Sequence, residues 1–206
     1  MKKLLNFDFY NYISTKIVYY FEKTITFDKL EREKLFLGVF TLVNNIIKTL
    51  FICCVSLILG CLKETIFMIL ILFSLRLTAC GLHAKSNLSC TLISLTTYCG
   101  SSLLSSNVPI DKSIAFIICI FLTILLYKYS PADTANRPIL YSTTRKKLKL
   151  QTLFTSIILL IINIIFQNTK LINLTMFAML AQVISILPIT YKLLKRSYNN
   201  YESYEN

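Results

Sequence analysis

His83 is the single histidine of the chain, and Cys90 follows it by seven residues within the stretch RLTACGLHAKSNLSC, residues 76–90. An imidazole that takes a thiol proton leaves a strong nucleophile, so the pair is a candidate for covalent catalysis. Each residue also has a plainer use: a histidine at a membrane boundary as a structural hydrogen-bonding group, a cysteine as a small hydrophobe. On one continuous helix, seven residues return to the same face but lie about 10.5 Å apart along the axis. A general base must come within about 3 Å. Catalysis therefore requires a break between them. Gly81 can loosen the chain before His83, and Ser86 with Asn87 can cap a helix beginning at Leu88. Cys90 then sits in the first turn of that helix, where the positive end of the dipole favours a thiolate. The same residues would also serve as the cap of an ordinary span, and capping and activation are compatible. A zinc site would draw on Cys80, His83 and Cys90, with Asp133 or Glu64 from elsewhere. Their spacing fits no zinc pattern, so neither a metal nor another cofactor is expected.

The elements that must position this pair are apolar. The chain has 206 residues, of which 55% are hydrophobic, and a mean hydropathy of +0.62, which excludes an ordinary soluble domain. Apolar runs fall at about 36–61, 65–80, 88–107, 113–129, 150–167 and 171–191. They predict an all-α, polytopic integral membrane protein of about six spans, in one membrane domain covering residues 1–206. A reading with fewer spans makes the second or third run re-entrant. Leu5, Phe9, Ile13, Ile17 and Phe21 recur every four residues within residues 1–34, as in an amphipathic cytoplasmic segment lying in the membrane interface. Packing of that helix on the protein's own loops satisfies the pattern equally. Asp8, Asn11 and Lys16 interrupt any signal-peptide core. The formal net charge is +12, yet no basic stripe interleaves with stacking aromatics, so nucleic acid is not an expected partner. With a cytoplasmic N-terminus and six spans, eighteen Lys or Arg lie inside, against Lys63, Lys112 and Lys170 outside. That asymmetry orients the protein and puts loops 76–87 and 128–149 on the cytoplasmic side. The seven cysteines form no disulfide framework: five lie inside apolar sequence, and only Cys80 and Cys90 flank polar sequence.

The stretch resembles the motif of the accessory gene regulator B (AgrB) family, membrane peptidases of Gram-positive quorum sensing. Arg76, Gly81, His83, Ala84 and Cys90 match it in order and spacing, while Cys80 replaces the first of the family's two glycines. YSPADTANRPI, residues 129–139, resembles the family's proline-rich loop through Pro131, Asp133, Thr134, Asn136 and Pro138. The resemblance implies a cysteine endopeptidase of the bacterial cell membrane, multi-pass, with its site toward the cytoplasm. It would cut an AgrD-like propeptide on its C-terminal side and promote closure of a thiolactone or lactone ring. It makes Cys90 the nucleophile and His83 the general base, then acid. Arg76 and Gly81 match positions that support the site: Arg76 to hold a substrate carboxylate or backbone carbonyls, Gly81 to permit a turn. Asp133 or Asn136 could orient His83, or Asp133 could simply pair with Arg137. The bilayer and the propeptide are the implied partners, and a homodimer stays open. The competing class is a non-enzymatic transporter or peptide-export component, for which Asn44, Asn45 and Lys48 in the first run would line a polar path.

Overall fold

The computed structural model describes residues 9–204 except 83, 85, 109, 136 and 137. The described residues are overwhelmingly helical, and by packing the chain divides into two units, residues 1–54 and 55–206. The first holds α1 (Phe9–Glu22) and most of α2 (Lys29–Ile58). Tyr10 of α1 meets Phe40 of α2 edge to face at 6.4 Å, and Arg32 pairs with Glu22. Ser14 and Val18 of α1 are buried, whereas Phe9 and Phe21 on the expected apolar stripe stay exposed. Leu5, the first residue of that stripe, lies outside the described residues.

The second unit is built from α3 (Leu62–Ala79), α4 (Asn87–Leu95), α5 (Ser101–Asn107), α6 (Lys112–Tyr129), α7 (Ser142–Phe166), α8 (Thr169–Ile186) and α9 (Pro188–Leu193). A π-helical turn, Thr96–Gly100, joins α4 to α5. Caps set several boundaries. Asp111 accepts from the backbone N–H groups of Ser113 and Ile114 at the start of α6, which also holds its carboxyl below the usual range. Asn168 accepts from Lys170 and Leu171 at the start of α8, one residue after left-handed Gln167 ends α7. Among the described residues, four helices are long and apolar enough to cross a membrane: α2, α6, α7 and α8. The second apolar run lies on α3, which carries Lys63, Glu64 and Arg76, and the third is divided among α4, the π-turn and α5.

The core of this unit comes chiefly from α3, α6 and α8. Met68, Leu75 and Ala79 of α3, Ala115, Cys119 and Leu126 of α6, and Ala178, Met179 and Ile186 of α8 are buried together. The small residues Ala79, Ala115 and Ala178 let neighbouring backbones approach closely, which drives helix packing where lipid removes the usual hydrophobic gain. Outward residues such as Ile117, Phe121, Phe154 and Ile165 remain exposed, as lipid contact requires. Buried polar side chains tie helices across the core. Thr65 donates to Ser102 at 3.2 Å between α3 and α5, and Asn163 donates to Thr175 at 3.0 Å between α7 and α8.

Backbone contacts fix which helix ends meet. The segment after α3 bonds to the segment after α6 and to the last turn of α8, so the C-terminal ends of α3, α6 and α8 gather at one end. Replacing Thr175 with Val strips one acceptor from the Asn163 amide, which keeps Leu159 O as its other partner. The expected loss is about 0.5–1.5 kcal/mol, the usual worth of such a bond between membrane helices. Unfolding in mixed micelles measures it, and an unchanged midpoint would contradict this role.

Candidate functional site

The interval between His83 and Cys90 contains a helix boundary. α3 ends at Ala79, and Cys80 turns the chain with φ 57° and ψ −136°. Gly81 follows at φ +117°, and α4 starts at Asn87. Ser86 is the cap: its Oγ accepts from Ser89 N at 3.1 Å, and its carbonyl accepts from Cys90 N at 3.0 Å. Cys90 thus closes the first turn of α4, half-buried, near the positive end of a helical segment that continues through the π-turn into α5. His83 itself lies outside the described residues, as do Lys85, Asn136 and Arg137.

The loop that carries His83 is held through its backbone on two sides. Ala132 makes a parallel bridge to Cys80: Ala132 N donates to Ala79 O at 3.0 Å, and Gly81 N donates to Ala132 O at 2.9 Å. The His–Cys loop and the proline-rich loop, more than forty positions apart in sequence, are therefore hydrogen-bonded to each other. From α8, Gln182 Nε2 donates to Cys80 O at 2.7 Å, and Ser185 O accepts from Leu82 N at 3.0 Å. Gly81 is pressed against this last turn of α8. A Cβ there would stand 2.7 Å from Ser185 Oγ and 3.2 Å from Ser185 O. Glycine is demanded twice, by its φ and by the approach.

Arg76 sits one turn before the end of α3. Its guanidinium reaches Leu82 O at 3.4 Å, a long contact that spans the loop from inside. A π-turn about two to three turns beyond the candidate nucleophile is a feature common near functional sites, and nothing in the Thr96–Gly100 sequence announces it.

Among the described residues, Asp133 finds its partners in the C-terminal segment and at the end of its own loop. It is buried, and its Oδ1 accepts from Asn200 N at 2.9 Å and Asn200 Nδ2 at 3.1 Å. Its Oδ2 accepts from Tyr201 N at 3.1 Å and, at 3.5 Å, Ile139 N. The basic cluster at 145–149 is partly committed too. Arg145 donates to Ile139 O and Leu140 O and covers the Tyr201 ring at 3.8 Å, and Lys149 lies over Tyr127. Lys146 and Lys147 stay exposed. Among the described residues no three His, Cys, Asp or Glu side chains converge as metal ligands.

A family model described as Accessory gene regulator B matches residues 14–186. An AgrB-like protein of Listeria innocua is 36% identical over 168 residues, 82% of each chain. One of Clostridium acetobutylicum is 34% identical over 183 residues, 89% of this chain and 88% of that one. Protein FsrB of Enterococcus faecalis is 30% identical over 157 residues, 75% of this chain and 64% of its own length. No solved structure matches.

The two turn positions should respond oppositely to substitution. Gly81→Ala forces a side chain into Ser185 at a φ that disfavours it and should destabilise the protein by about 1–3 kcal/mol. Cys80→Gly relieves a non-glycine residue at φ 57° and should be neutral or stabilising by up to about 1 kcal/mol. Thermal unfolding of the purified variants in detergent reports both. Equal destabilisation by the two changes would contradict the turn geometry.

Proposed function

The chain belongs to the accessory gene regulator B family and is a membrane protein, and on that premise we propose that it is a cysteine endopeptidase processing a quorum-sensing propeptide. The observation that carries this reading is the helix break at residues 80–86, which puts Cys90 in the first turn of a new helix directly after the loop bearing His83. An unbroken helix would have kept the two apart. Cys90 Sγ attacks the scissile carbonyl of an AgrD-like substrate, after His83 has taken its proton. His83 then returns that proton to the departing amine of the C-terminal fragment. The N-terminal part stays on Cys90 as a thioester. The peptide's own thiol or hydroxyl next takes the acyl group, closing the ring and freeing Cys90.

Several features support this division of labour. The positive end of the α4 dipole favours a thiolate over a thiol. Cys90 is neither open to water nor sealed, which suits a thioester that must meet an internal nucleophile before hydrolysis. Holding that nucleophile next to the acyl carbon makes the second step effectively intramolecular, an advantage of roughly 7–11 kcal/mol in well-oriented cases. Arg76 and Gly81 support the site: one spans the loop from the α3 side, the other lets it lie against α8.

We read all six apolar runs as spans, with α3 as the second and α4 through α5 as the third. The gathering of the α3, α6 and α8 C-terminal ends agrees with alternating spans, because those ends would all face one side. The excess of Lys and Arg on that side makes it the cytoplasm, where the propeptide would be met.

Cys90→Ala and His83→Ala should each abolish propeptide cleavage by at least about a thousandfold, in keeping with loss of a covalent nucleophile or its base. Both should still insert into membranes. Alanine or serine at Cys53, Cys54, Cys61, Cys99 or Cys119 should leave cleavage within a few-fold of normal. Mass spectrometry of fragments after co-expression with the propeptide is the assay, and full cleavage by the Cys90→Ala protein would refute the mechanism.

A further inference from the structure

We propose that Asp133 is a positioning residue for the Cys90 site, and that the C-terminal segment it holds acts as a strap on the His–Cys loop. The inference rests on the peptidase reading and adds to it two parts of the chain, Asp133 and residues 191–201, that the catalytic chemistry does not itself use. Asp133 is nearly fully buried, at 4% exposure, and so its carboxylate must be satisfied by the protein. It is met by donors from two segments: Asn200 and Tyr201 from the C-terminal tail, and Ile139 from the end of its own loop. Its main-chain oxygen accepts from the Tyr191 hydroxyl at 2.8 Å, so both ends of the residue are fixed by the tail.

The tail is in turn fastened where it lies. Tyr198 packs edge to face on Tyr191 at 4.9 Å, and Arg145 at the start of α7 covers the Tyr201 ring. The residue next to Asp133 is Ala132, whose two backbone bonds hold Ala79 and Gly81. A continuous set of contacts thus runs from Asn200 and Tyr201 through Asp133 and Ala132 to the turn immediately before His83. Gln182 and Ser185 brace that turn from α8, and among the described residues of the proline-rich loop it is Ala132 that holds it from the other side. If the tail releases Asp133, the Ala132 side of the brace loses its anchor while the helical core stays as it was.

The test uses full-length protein in liposomes. Asp133→Asn keeps the shape but supplies one acceptor oxygen where the carboxylate supplies two, so either the Asn200 or the Tyr201 side faces a second donor. Asn200→Ala removes one bond from the opposite partner. Three quantities are read: kcat and KM for propeptide cleavage, the thermal midpoint, and the rate at which iodoacetamide alkylates Cys90. Asp133→Asn should lower kcat at least tenfold with KM changed less than threefold, and slow Cys90 alkylation in parallel. Asn200→Ala should lower kcat about threefold. The double variant should be no worse than Asp133→Asn, because both act through one contact. The thermal midpoint of Asn200→Ala should stay within a few degrees of the unsubstituted protein.

Unchanged kcat in both single variants would overturn the proposal. So would a rise in KM with Cys90 alkylation untouched, which would make the tail part of substrate binding instead. Unsubstituted protein that cleaves no propeptide, yet whose Cys90 alkylation slows on Asp133→Asn, would remove the peptidase reading and leave the strap standing.

Discussion

Ala132 makes two hydrogen bonds, to Ala79 O and from Gly81 N, and the arrangement of the candidate site depends on them. A chain that leaves a helix at the end of an apolar bundle exposes N–H and C=O groups that lipid cannot satisfy. Here they are satisfied by another loop and by the last turn of α8, so the break in the helix is itself a bonded structure. That is why the turn can hold Cys80 and Gly81 at positive φ. Strained backbone persists where its surroundings over-determine it, and this turn is held by Ala132, Gln182 and Ser185 at once.

The consequence for chemistry is positional. Membrane helices are stiff and present side chains at fixed heights, so groups seven residues apart on one helix never meet. Ending α3 at Ala79 and starting α4 at Asn87 lets the chain double back before Cys90 is presented. Arg76 on one helix can then reach the Leu82 carbonyl in the loop that leads to Cys90 on the next. On the proposed mechanism the same break serves activation, since Cys90 gains the start of a helix as its electrostatic environment.

Much of this was legible in the sequence because it rests on local chemistry. Ser86 reads as a cap, and it caps, with the helix beginning one residue earlier than the apolar pattern indicates. Gly81 reads as a turn residue, although the pressure from Ser185 could not be read from its neighbours. Helices α2 and α7 start about seven residues before their apolar runs, at Lys29 and Ser142, because Lys, Arg and Glu extend a helix beyond the membrane as readily as apolar residues do. What stayed hidden is non-local. Nothing around Asp133 points to Asn200, 67 positions away, and the tail has no periodic pattern to mark it as an ordered partner. The bridge from Cys80 to Ala132 was equally invisible, since it uses only backbone groups, which every residue carries.

The central claim is that Cys90 carries the acyl group between cleavage and ring closure. Rapid quench followed by intact-protein mass spectrometry tests it, using a propeptide whose ring-forming residue is replaced by alanine. The account predicts release of the C-terminal fragment together with a mass increment on Cys90 equal to the remaining peptide acyl group, removed by hydroxylamine. Release of that fragment with Cys90 unmodified at every time point, or formation of cyclic product from the normal propeptide by the Cys90→Ala protein, would contradict it.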